Sequence, residues 1–314
     1  MKKIVIIDCN AICWSVFHAL PPMSHGEKST AIIYGFLNNL FEIQSRQNAD
    51  HLVFAWDGKG SKREEIFPAY KEKRKNKYKE QSEEEKIIHR DRKKQFKEIQ
   101  NSVLPGLGFN NVLQEDGFEG DDIIGSIVKD YEKTHFIIIV GRDNDLFQLI
   151  GPNCQIWDHG HRKFINEEIF FEKYGIYPDT WADVKAIAGC SSDEVPGVQN
   201  VGEGRAISYL LNQLKPTSKI RKRIENSSEL IAFTRRLTTL PFEGTPHYRL
   251  NEDSCSVHKL KAVAKKYGLN SYLTEKRYQQ FGRYFCEEEK SAKPENKPRV
   301  ERPNKSFFNR RKRI

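Results

Sequence analysis

Three apolar segments, each ending in an aspartate, constrain the fold of this 314-residue chain. They are residues 3–8 (KIVIID), 51–57 (HLVFAWD) and 135–143 (HFIIIVGRD). Short, nearly continuous runs of Ile, Val and Phe are typical of strands buried on both faces of a parallel sheet. Residues 30–47 and 121–131, between these runs, have a helical pattern and would supply the crossovers. The sequence therefore predicts an α/β fold, a parallel or mixed sheet flanked by helices.

The aspartates that end these segments are expected to meet. In open parallel sheets, ligands bind beyond the carboxyl ends of the strands, and Asp8, Asp57 and Asp143 would all arrive at that edge. A single strand that ends in Asp is ordinary turn chemistry. Three such aspartates at one edge indicate a functional site.

Further acids follow in two short motifs, EGDD (residues 119–122) and RDND (residues 142–145). One or two acids at a helix start are common N-terminal caps, but three so close repel one another unless a cation neutralises them. Oxygen ligands in such number suit Mg²⁺ or Mn²⁺, and a cluster of this size suits two ions. The expected cluster has seven members: Asp8, Asp57, Glu119, Asp121, Asp122, Asp143 and Asp145.

The net charge of +9 is unevenly distributed. Residues 59–97 contain 15 Lys and Arg against 8 Asp and Glu, and residues 291–314 contain 9 against 2, so each segment carries +7. The remainder of the chain is left with −5. Two basic segments beside an acidic body indicate a polyanionic partner held against metal-binding chemistry.

Most of the remaining sequence has a helical pattern. Residues 61–103 form a highly charged helical segment, expected to protrude beside the site, and 178–214 read as helix, turn, helix around EVPGVQNVGEG. Residues 230–240 and 257–267 predict two more helices, and the last two dozen residues have the composition of a disordered tail.

Cysteine usage and the apolar runs bear on location. The six cysteines are scattered without a CxxC pair, so we expect reduced thiols rather than disulfides or structural zinc. The chain begins directly as a strand-like run without a leader pattern, and apolar runs such as 136–140 are too short to span a bilayer. We therefore expect a cytoplasmic protein without membrane contact.

Five blocks, in order, carry a family resemblance: IIDCN, WDGKGSKREEIFPAYKEKR, DGFEGDDIIGSI, GRDNDLFQL and GCSSDEVPGVQNVGEGRA. Together they resemble the 5′ nucleases, a family that includes bacteriophage 5′→3′ exonucleases, flap endonucleases and the 5′-nuclease domain of bacterial DNA polymerase I. The resemblance covers about residues 3–284. It implies a PIN-like catalytic domain (1–177) with a helical arch (about 60–103), a C-terminal helical DNA-binding subdomain (178–286) containing a helix–three-turn–helix, and a basic disordered tail (287–314).

The resemblance also implies roles for individual residues. It places the first metal ion on Asp8, Asp57, Glu119 and Asp121, and the second on Asp122, Asp143, Asp145 and Asp193. The arch residues Tyr70, Lys71 and Arg74 would orient the 5′ strand and contact the scissile phosphate, with Tyr70 offering a stacking face for an unpaired base. The implied cofactors are two Mg²⁺ ions, replaceable by Mn²⁺, with K⁺ at the helix–three-turn–helix. The implied DNA-binding residues are Arg63, Gly197, Val198, Val201, Gly202, Gly204 and Arg205.

The activity implied is that of a metal-dependent, structure-specific 5′→3′ exonuclease and flap endonuclease that leaves 5′-phosphate ends. Its substrates would be flapped, nicked or gapped DNA and RNA–DNA primers, and the protein would be a monomer. Two alternatives stay open: a catalytically impaired DNA-binding paralogue with the same scaffold, and a related RNA-cleaving α/β nuclease, which would not need the VPGVQNVGEGRA block.

The sequence departs from the family pattern near the second metal site. Where the family usually has GDSSDN, this chain has GCSSDE, so Cys190 replaces a carboxylate and Glu194 replaces an amide. A thiol is a soft ligand that binds Mg²⁺ poorly. We therefore expect an active nuclease with a weakened second site, better served by Mn²⁺. Asn200 and Gly204 also depart, the first mildly because Asn tolerates a left-handed backbone, while Arg205 could replace the charge that Gly204 lacks.

The tail ending SFFNRRKRI has two interpretations. It is a solvated basic tail, or Phe307 and Phe308 form a docking peptide for a sliding clamp or a single-strand-binding protein.

Overall fold

The computed structural model describes residues 1–274. Its strands are β1 Lys2–Asp8, β2 Ser24–His25, β3 Lys28–Ser29, β4 His51–Trp56, β5 Val112–Gln114, β6 His135–Val140, β7 Cys154–Asp158 and β8 Lys163–Ile165. Its α-helices are α1 Cys9–Ala19, α2 Ala31–Gln47, α3 Lys62–Ile66, α4 Glu72–Lys79, α5 Glu83–Glu98, α6 Leu104–Leu107, α7 Gly120–Tyr131, α8 Glu167–Tyr174, α9 Trp181–Ala188, α10 Glu203–Leu210, α11 Lys219–Glu225, α12 Ser228–Thr238 and α13 Val257–Lys266.

The central sheet has six strands in the order β5-β4-β1-β6-β7-β8. The first five are parallel to one another, and β8 pairs antiparallel with β7 at one edge. The three predicted strands are neighbours at its centre, where Ile4 to Ile7 are almost completely buried. The predicted α/β fold with a mixed sheet flanked by helices is confirmed.

Each face of the sheet is covered by its own hydrophobic core. Alternate residues of β1 point to opposite faces, so Val5 and Ile7 join α1, α2, α6 and α13 in one core. Ile4 and Ile6 join α7, α9 and the following helices in the other core. This three-layer packing fixes the carboxyl edge of the sheet, which lies between the two helical layers.

The charged segment that was expected to protrude is exposed only in part. Helix α4 has no buried residue, whereas α5 packs against α2 through buried residues such as Gln95, which accepts a hydrogen bond from the Ile32 amide at 2.9 Å. We refer to α3, α4 and α5 together, residues 62–98, as the arch. Its outer helix α4 is therefore held by its ends and by ion pairs rather than by apolar packing.

The helical segments after residue 177 differ from the expected separate subdomain. Helices α9 and α10 bury Trp181, Val184 and Ala206 in the core formed with α7. Helix α13 instead packs against α6, on the other face of the sheet. The predicted boundary at residue 177 therefore does not coincide with a division between hydrophobic cores. The predictions for the tail, including docking through Phe307 and Phe308, lie outside the described residues.

Within residues 1–274, no helix combines the length and the apolar character needed to cross a bilayer. The cysteines of this part, Cys9, Cys13, Cys154, Cys190 and Cys255, are free thiols, as the sequence predicted.

Candidate active site

Four carboxylates gather where the central strands end. Asp8 is the last residue of β1, Asp57 directly follows β4, and Asp143 lies three residues beyond the end of β6. Asp121, in the first turn of α7, completes the group, which we call the inner cluster. Parallel strands bring their carboxyl ends to one edge, so this convergence follows from the sheet topology.

The inner cluster carries concentrated negative charge. Loss of hydration inside the protein, together with Asp57 and Asp143, raises the pKa of Asp8 to about 7. The pKa of Asp121 is well above its ordinary value because of burial and the charges of Asp8 and Asp143. Burial and Glu119 raise the pKa of Asp57, and burial and Asp145 raise that of Asp143. Such mutual repulsion is relieved by protons or by a bound cation.

Backbone amides and one side-chain amide fix the orientation of this cluster. Asp8 caps α1 by accepting from the Ala11 amide at 2.9 Å. Asp57 accepts from the Gly120 amide at 2.8 Å and from Asn10 Nδ2 at 2.6 Å. A Cβ at residue 120 would stand 3.3 Å from Asp57 Oδ1, so glycine permits this close approach. The carboxylates are therefore preorganised at the sheet edge.

A second group of possible ligands, which we call the outer cluster, lies on the adjacent loops. Ligand atoms of Asp145, Cys190 and Asp193 lie within 4.8 Å of one another. Lys185 Nζ is 2.8 Å from Asp145 Oδ1 and 3.3 Å from Glu203 Oε1, with only 7 % of its side chain exposed. Burial and the nearby Asp145 raise the pKa of the Cys190 thiol, whose Sγ lies 3.0 Å from Ser192 Oγ. The outer cluster thus has two carboxylates and a neutral thiol beside a buried ammonium.

Cationic side chains of the arch face both clusters. Lys71 Nζ is 2.7 Å from Glu119 Oε2 and 3.7 Å from Asp193 Oδ2. Arg74 Nη2 contacts Asp193 Oδ1 at 2.7 Å. Burial lowers the pKa of Lys71, but Glu119 and Asp193 outweigh this and raise it. Lys71 is therefore a fixed positive charge at the rim of the carboxylates.

The structure differs from the prediction for Asp122 and Arg63. Asp122 is fully buried and accepts two hydrogen bonds from the Arg63 guanidinium, at 2.6 and 2.8 Å. It also accepts from the amides of Glu119 and Phe242. Its oxygens are occupied away from the inner cluster, so Asp122 is not placed to bind metal. Arg63, expected at the DNA, has 4 % of its side chain exposed and holds Asp122 instead.

Tyr70 also differs from its expected role as a stacking face. Its ring is only 2 % exposed, and its hydroxyl donates to Glu119 Oε2 at 3.0 Å. A buried ring cannot receive an unpaired base, and Tyr70 instead contacts Glu119, which also pairs with Lys71.

Residues 189–202 form the turn between α9 and α10, which we call the hairpin. The backbone at Gly197 packs closely against the backbone at Ala188 and Gly189. A Cβ at residue 197 would lie 2.0 Å from the Ala188 carbonyl oxygen, so only glycine fits. Val198 and Val201 are buried, so they can offer a ligand only their backbone. Gly202 is the N-cap of α10 and Gly204 lies in its first turn, and both have open space around them.

The hairpin opens into a basic groove. Asn200 has φ +61°, which confirms that it adopts the left-handed backbone. Arg205 donates to the Asn200 carbonyl at 2.5 Å, and Arg223 donates to the Gln199 carbonyl at 2.8 Å. The groove is lined by these residues and by Lys219, which with Arg223 was not singled out from the sequence.

Sequence reasoning also missed Lys185 and Asn10, and it identified Glu194 only as a departure from the family pattern and not by its contact with the arch. Lys185 has one detectable signal: it lies among apolar residues of the helix WADVKAIA, where a lysine in a buried position needs a partner. Asn10 and Glu194 carry no such signal because their partners, Asp57 and Lys73, are distant in the chain.

Comparison with known proteins agrees with this arrangement. Residues 3–175 match the family model for the 5′-3′ exonuclease N-terminal resolvase-like domain. A 5′-3′ exonuclease of Aquifex aeolicus is 30 % identical over 213 residues, covering 67 % of this chain and 69 % of that protein. DNA polymerase I of Bacillus subtilis is 32 % identical over 72 % of this chain but only 25 % of its own length. The chain thus spans less than a third of the length of such polymerase relatives.

Solved structures share the fold. A complex of the bacteriophage T5 flap endonuclease with DNA and metal ions has a TM-score of 0.66 and 19 % identity, covering 89 % of this chain and 99 % of the other. The T5 5′-exonuclease with bound zinc has a TM-score of 0.65 and 21 % identity, covering 76 % and 90 %. These neighbours confirm the PIN-like fold, and both are described with bound metal ions.

Proposed function

Since this chain belongs to the 5′-3′ exonuclease family, we propose that it is a metal-dependent nuclease that hydrolyses phosphodiesters near the 5′ end of flapped, nicked or gapped DNA and of RNA–DNA primers. One observation carries this proposal. Lys71 and Arg74 of the basic arch pair with Glu119 and Asp193 at the margin of the carboxylate clusters. The loop that carries Cys190 and Asp193 continues directly into the hairpin that lines the basic groove. Cation-binding, phosphate-binding and duplex-binding chemistry are thereby contiguous.

The residues present fit divalent metal ions. Burial, together with Asp57 and Asp143, raises the pKa of Asp8, and a bound cation would offset both effects. Oxygen donors suit Mg²⁺, with Mn²⁺ as a substitute. A first ion would be held by Asp8, Asp57, Asp121 and Glu119, and a second by Asp143, Asp145 and Asp193. When bound, such ions polarise the phosphate and favour deprotonation of the attacking water.

The arch would bind the phosphate to be cut. Lys71 offers a compact charge and Arg74 a planar fork, and both now pair with acids, Glu119 and Asp193. A phosphate arriving over the clusters would compete with these carboxylates for the same donors. Tyr70 would keep Glu119 in place during this exchange, since its hydroxyl is already bonded there.

The hairpin would hold the duplex without reading its sequence. Exposed backbone at Gly202 and Gly204, together with Arg205, Lys219 and Arg223, offers donors for phosphates, and phosphate contacts carry no sequence information. A K⁺ ion at this hairpin belongs to the same proposal. Specificity would then come from the shape of the junction between duplex and 5′ strand.

A cleavage assay tests the proposal. A 5′-flapped duplex labelled at either end is incubated with Mg²⁺, Mn²⁺ or EDTA, and cleavage near the junction with a 5′-phosphate product is expected only with metal. Asp130→Asn serves as a matched control, because Asp130 pairs with the exposed His247 away from the clusters. Flap binding without cleavage in either metal would instead support the catalytically impaired paralogue.

A further inference from the structure

Glu194 makes a contact that the proposed nuclease chemistry does not use. It lies in a tight loop closed by two backbone hydrogen bonds, from Cys190 N to Val195 O at 3.1 Å and from Val195 N to Cys190 O at 2.9 Å. Its carboxylate accepts from the Lys73 amide at 3.3 Å, and its side chain is only 14 % exposed. An acidic side chain is thus held against the arch by a closed loop.

The partner of Glu194 is the first turn of α4. Lys71 precedes this helix in a left-handed conformation, φ +53°, and its side chain does not cap the helix. The first amides of a helix have no partner within it, and a carboxylate there also favours the helix dipole. The Lys71 amide donates to the Asp193 carbonyl at 3.1 Å, and the Lys73 amide to Glu194. The 190–195 loop therefore caps α4 from outside.

This external cap matters because α4 has no buried residue to anchor it. Its N-terminal turn carries Lys71 and Arg74, the two cations over the carboxylate clusters. Glu194 itself has φ +58°, a conformation that non-glycine residues seldom adopt outside constrained sites. Glu194, in a constrained conformation, therefore contacts α4, and the position of α4 determines the positions of Lys71 and Arg74.

We propose that Glu194 is a positioning residue, which caps helix α4 from the neighbouring loop and thereby holds Lys71 and Arg74 over the carboxylates. Its effect on catalysis rests on the proposed nuclease function, whereas its effect on the arch does not. The Lys73 side chain is not required, because its backbone donates and the side chain is 82 % exposed.

Hydrogen exchange of the full-length protein without DNA tests the cap. Glu194→Asn suits the left-handed backbone but removes the long carboxylate, so exchange in residues 72–79 should be about fivefold faster. Glu194→Gln keeps an acceptor oxygen and should stay within about twofold of wild type. The control is Glu64→Gln, which removes a partly exposed acid that pairs with Lys75 of the same helix at 2.5 Å. Unchanged exchange in Glu194→Asn overturns the proposal.

Steady-state cleavage of a flapped duplex tests the positioning. With the arch less ordered, KM should rise about fivefold in Glu194→Asn while kcat changes less than about twofold, and Glu194→Gln should restore KM. Faster exchange with an unchanged KM would overturn the positioning role. If the wild-type protein cleaves no DNA, the proposed function fails while the exchange experiment still decides the cap.

Discussion

The inner and outer clusters contain the same kind of carboxylate but differ in what neutralises it. Burial, together with the charges of neighbouring carboxylates, raises the pKa values of Asp8, Asp57, Asp121 and Asp143. In the outer cluster, Asp145 pairs with Lys185 at 2.8 Å and Asp193 with Arg74 at 2.7 Å. The inner cluster therefore has the greater need of a cation, and the outer cluster is already largely balanced by the protein.

Cys190 increases this difference. A carboxylate at its position would add a negative charge beside Lys185, whereas a thiol with a raised pKa adds none at neutral pH. For Lys185, burial lowers the pKa, but Asp145 and its hydrogen bond outweigh this and raise it, so the ammonium stays charged. The two clusters should consequently differ in their affinity for Mg²⁺ and in the response of activity to substitution.

The largest effect is expected from neutralising the inner cluster. Asp121→Asn removes one of its four carboxylate ligands. The expected loss in kcat is about a thousandfold, which corresponds to about 4 kcal/mol of transition-state stabilisation. Cleavage of a labelled flap under single-turnover conditions measures this, with Asp130→Asn as the control. A loss below about tenfold would show that the inner cluster is not the catalytic metal site.

The next effect concerns the buried ammonium of the outer cluster. Lys185→Met leaves Asp145 without its partner, and breaking such a buried pair should lower the free energy of unfolding by about 3 kcal/mol in EDTA. Mg²⁺ should restore part of this loss by replacing the ammonium. Urea unfolding measures both quantities.

The control for this variant is Arg235→Met. Arg235 pairs with Asp183 at 2.5 Å, but half of its side chain is exposed, so its loss should cost less than about 1 kcal/mol. Equal losses in the two variants would contradict the view that Lys185 neutralises the outer cluster.

A smaller effect is expected from restoring the missing carboxylate. Cys190→Asp should lower the Mg²⁺ concentration for half-maximal cleavage by about tenfold, because a hard anionic ligand replaces a neutral thiol. Cys190→Ser is the matched control, since it changes the donor atom without adding charge. An unchanged Mg²⁺ dependence in Cys190→Asp would show that Cys190 does not weaken the second site.

The sheet and the inner acids could be predicted from sequence because both depend on local pattern. Apolar runs identify buried strands, and the aspartate that ends each run must lie at the carboxyl edge. Helix geometry could have excluded Asp122 from the metal ligands. Adjacent residues on a helix point about 100° apart, so Asp121 and Asp122 do not face the same site.

The charge partners could not be predicted in this way. Arg63 meets Asp122 across 59 residues, and Glu194 meets Lys73 across 121. Such pairs depend on how the arch and the C-terminal helices dock, and the sequence pattern within one segment carries no information about docking. Lys185 could be predicted in part. Its apolar neighbours indicate that it is buried and needs a partner, but they do not identify Asp145.

The smallest effect is expected in how the stability of the protein depends on pH through the inner cluster. The pKa of Asp8 is about 7 in the folded protein against an ordinary value of 3.8. Between these values the folded state holds a proton that the unfolded state has lost, so in EDTA the contribution of Asp8 to stability falls as the pH rises through this window. Asp8→Asn removes that titration. The melting temperature of the variant minus that of the wild type should therefore rise by a few degrees from the acid to the neutral end of this pH window.

Thermal unfolding in EDTA at unit pH intervals across this window measures the difference between the two proteins. Asp130→Asn again provides the control, because its difference from wild type should stay constant with pH. Saturating Mg²⁺ should reduce the pH-dependent gain of Asp8→Asn, since a bound cation relieves the same repulsion that the asparagine removes. A gain that is absent in EDTA would mean that Asp8 is ionised throughout, and that the inner cluster is balanced by the protein as the outer cluster is.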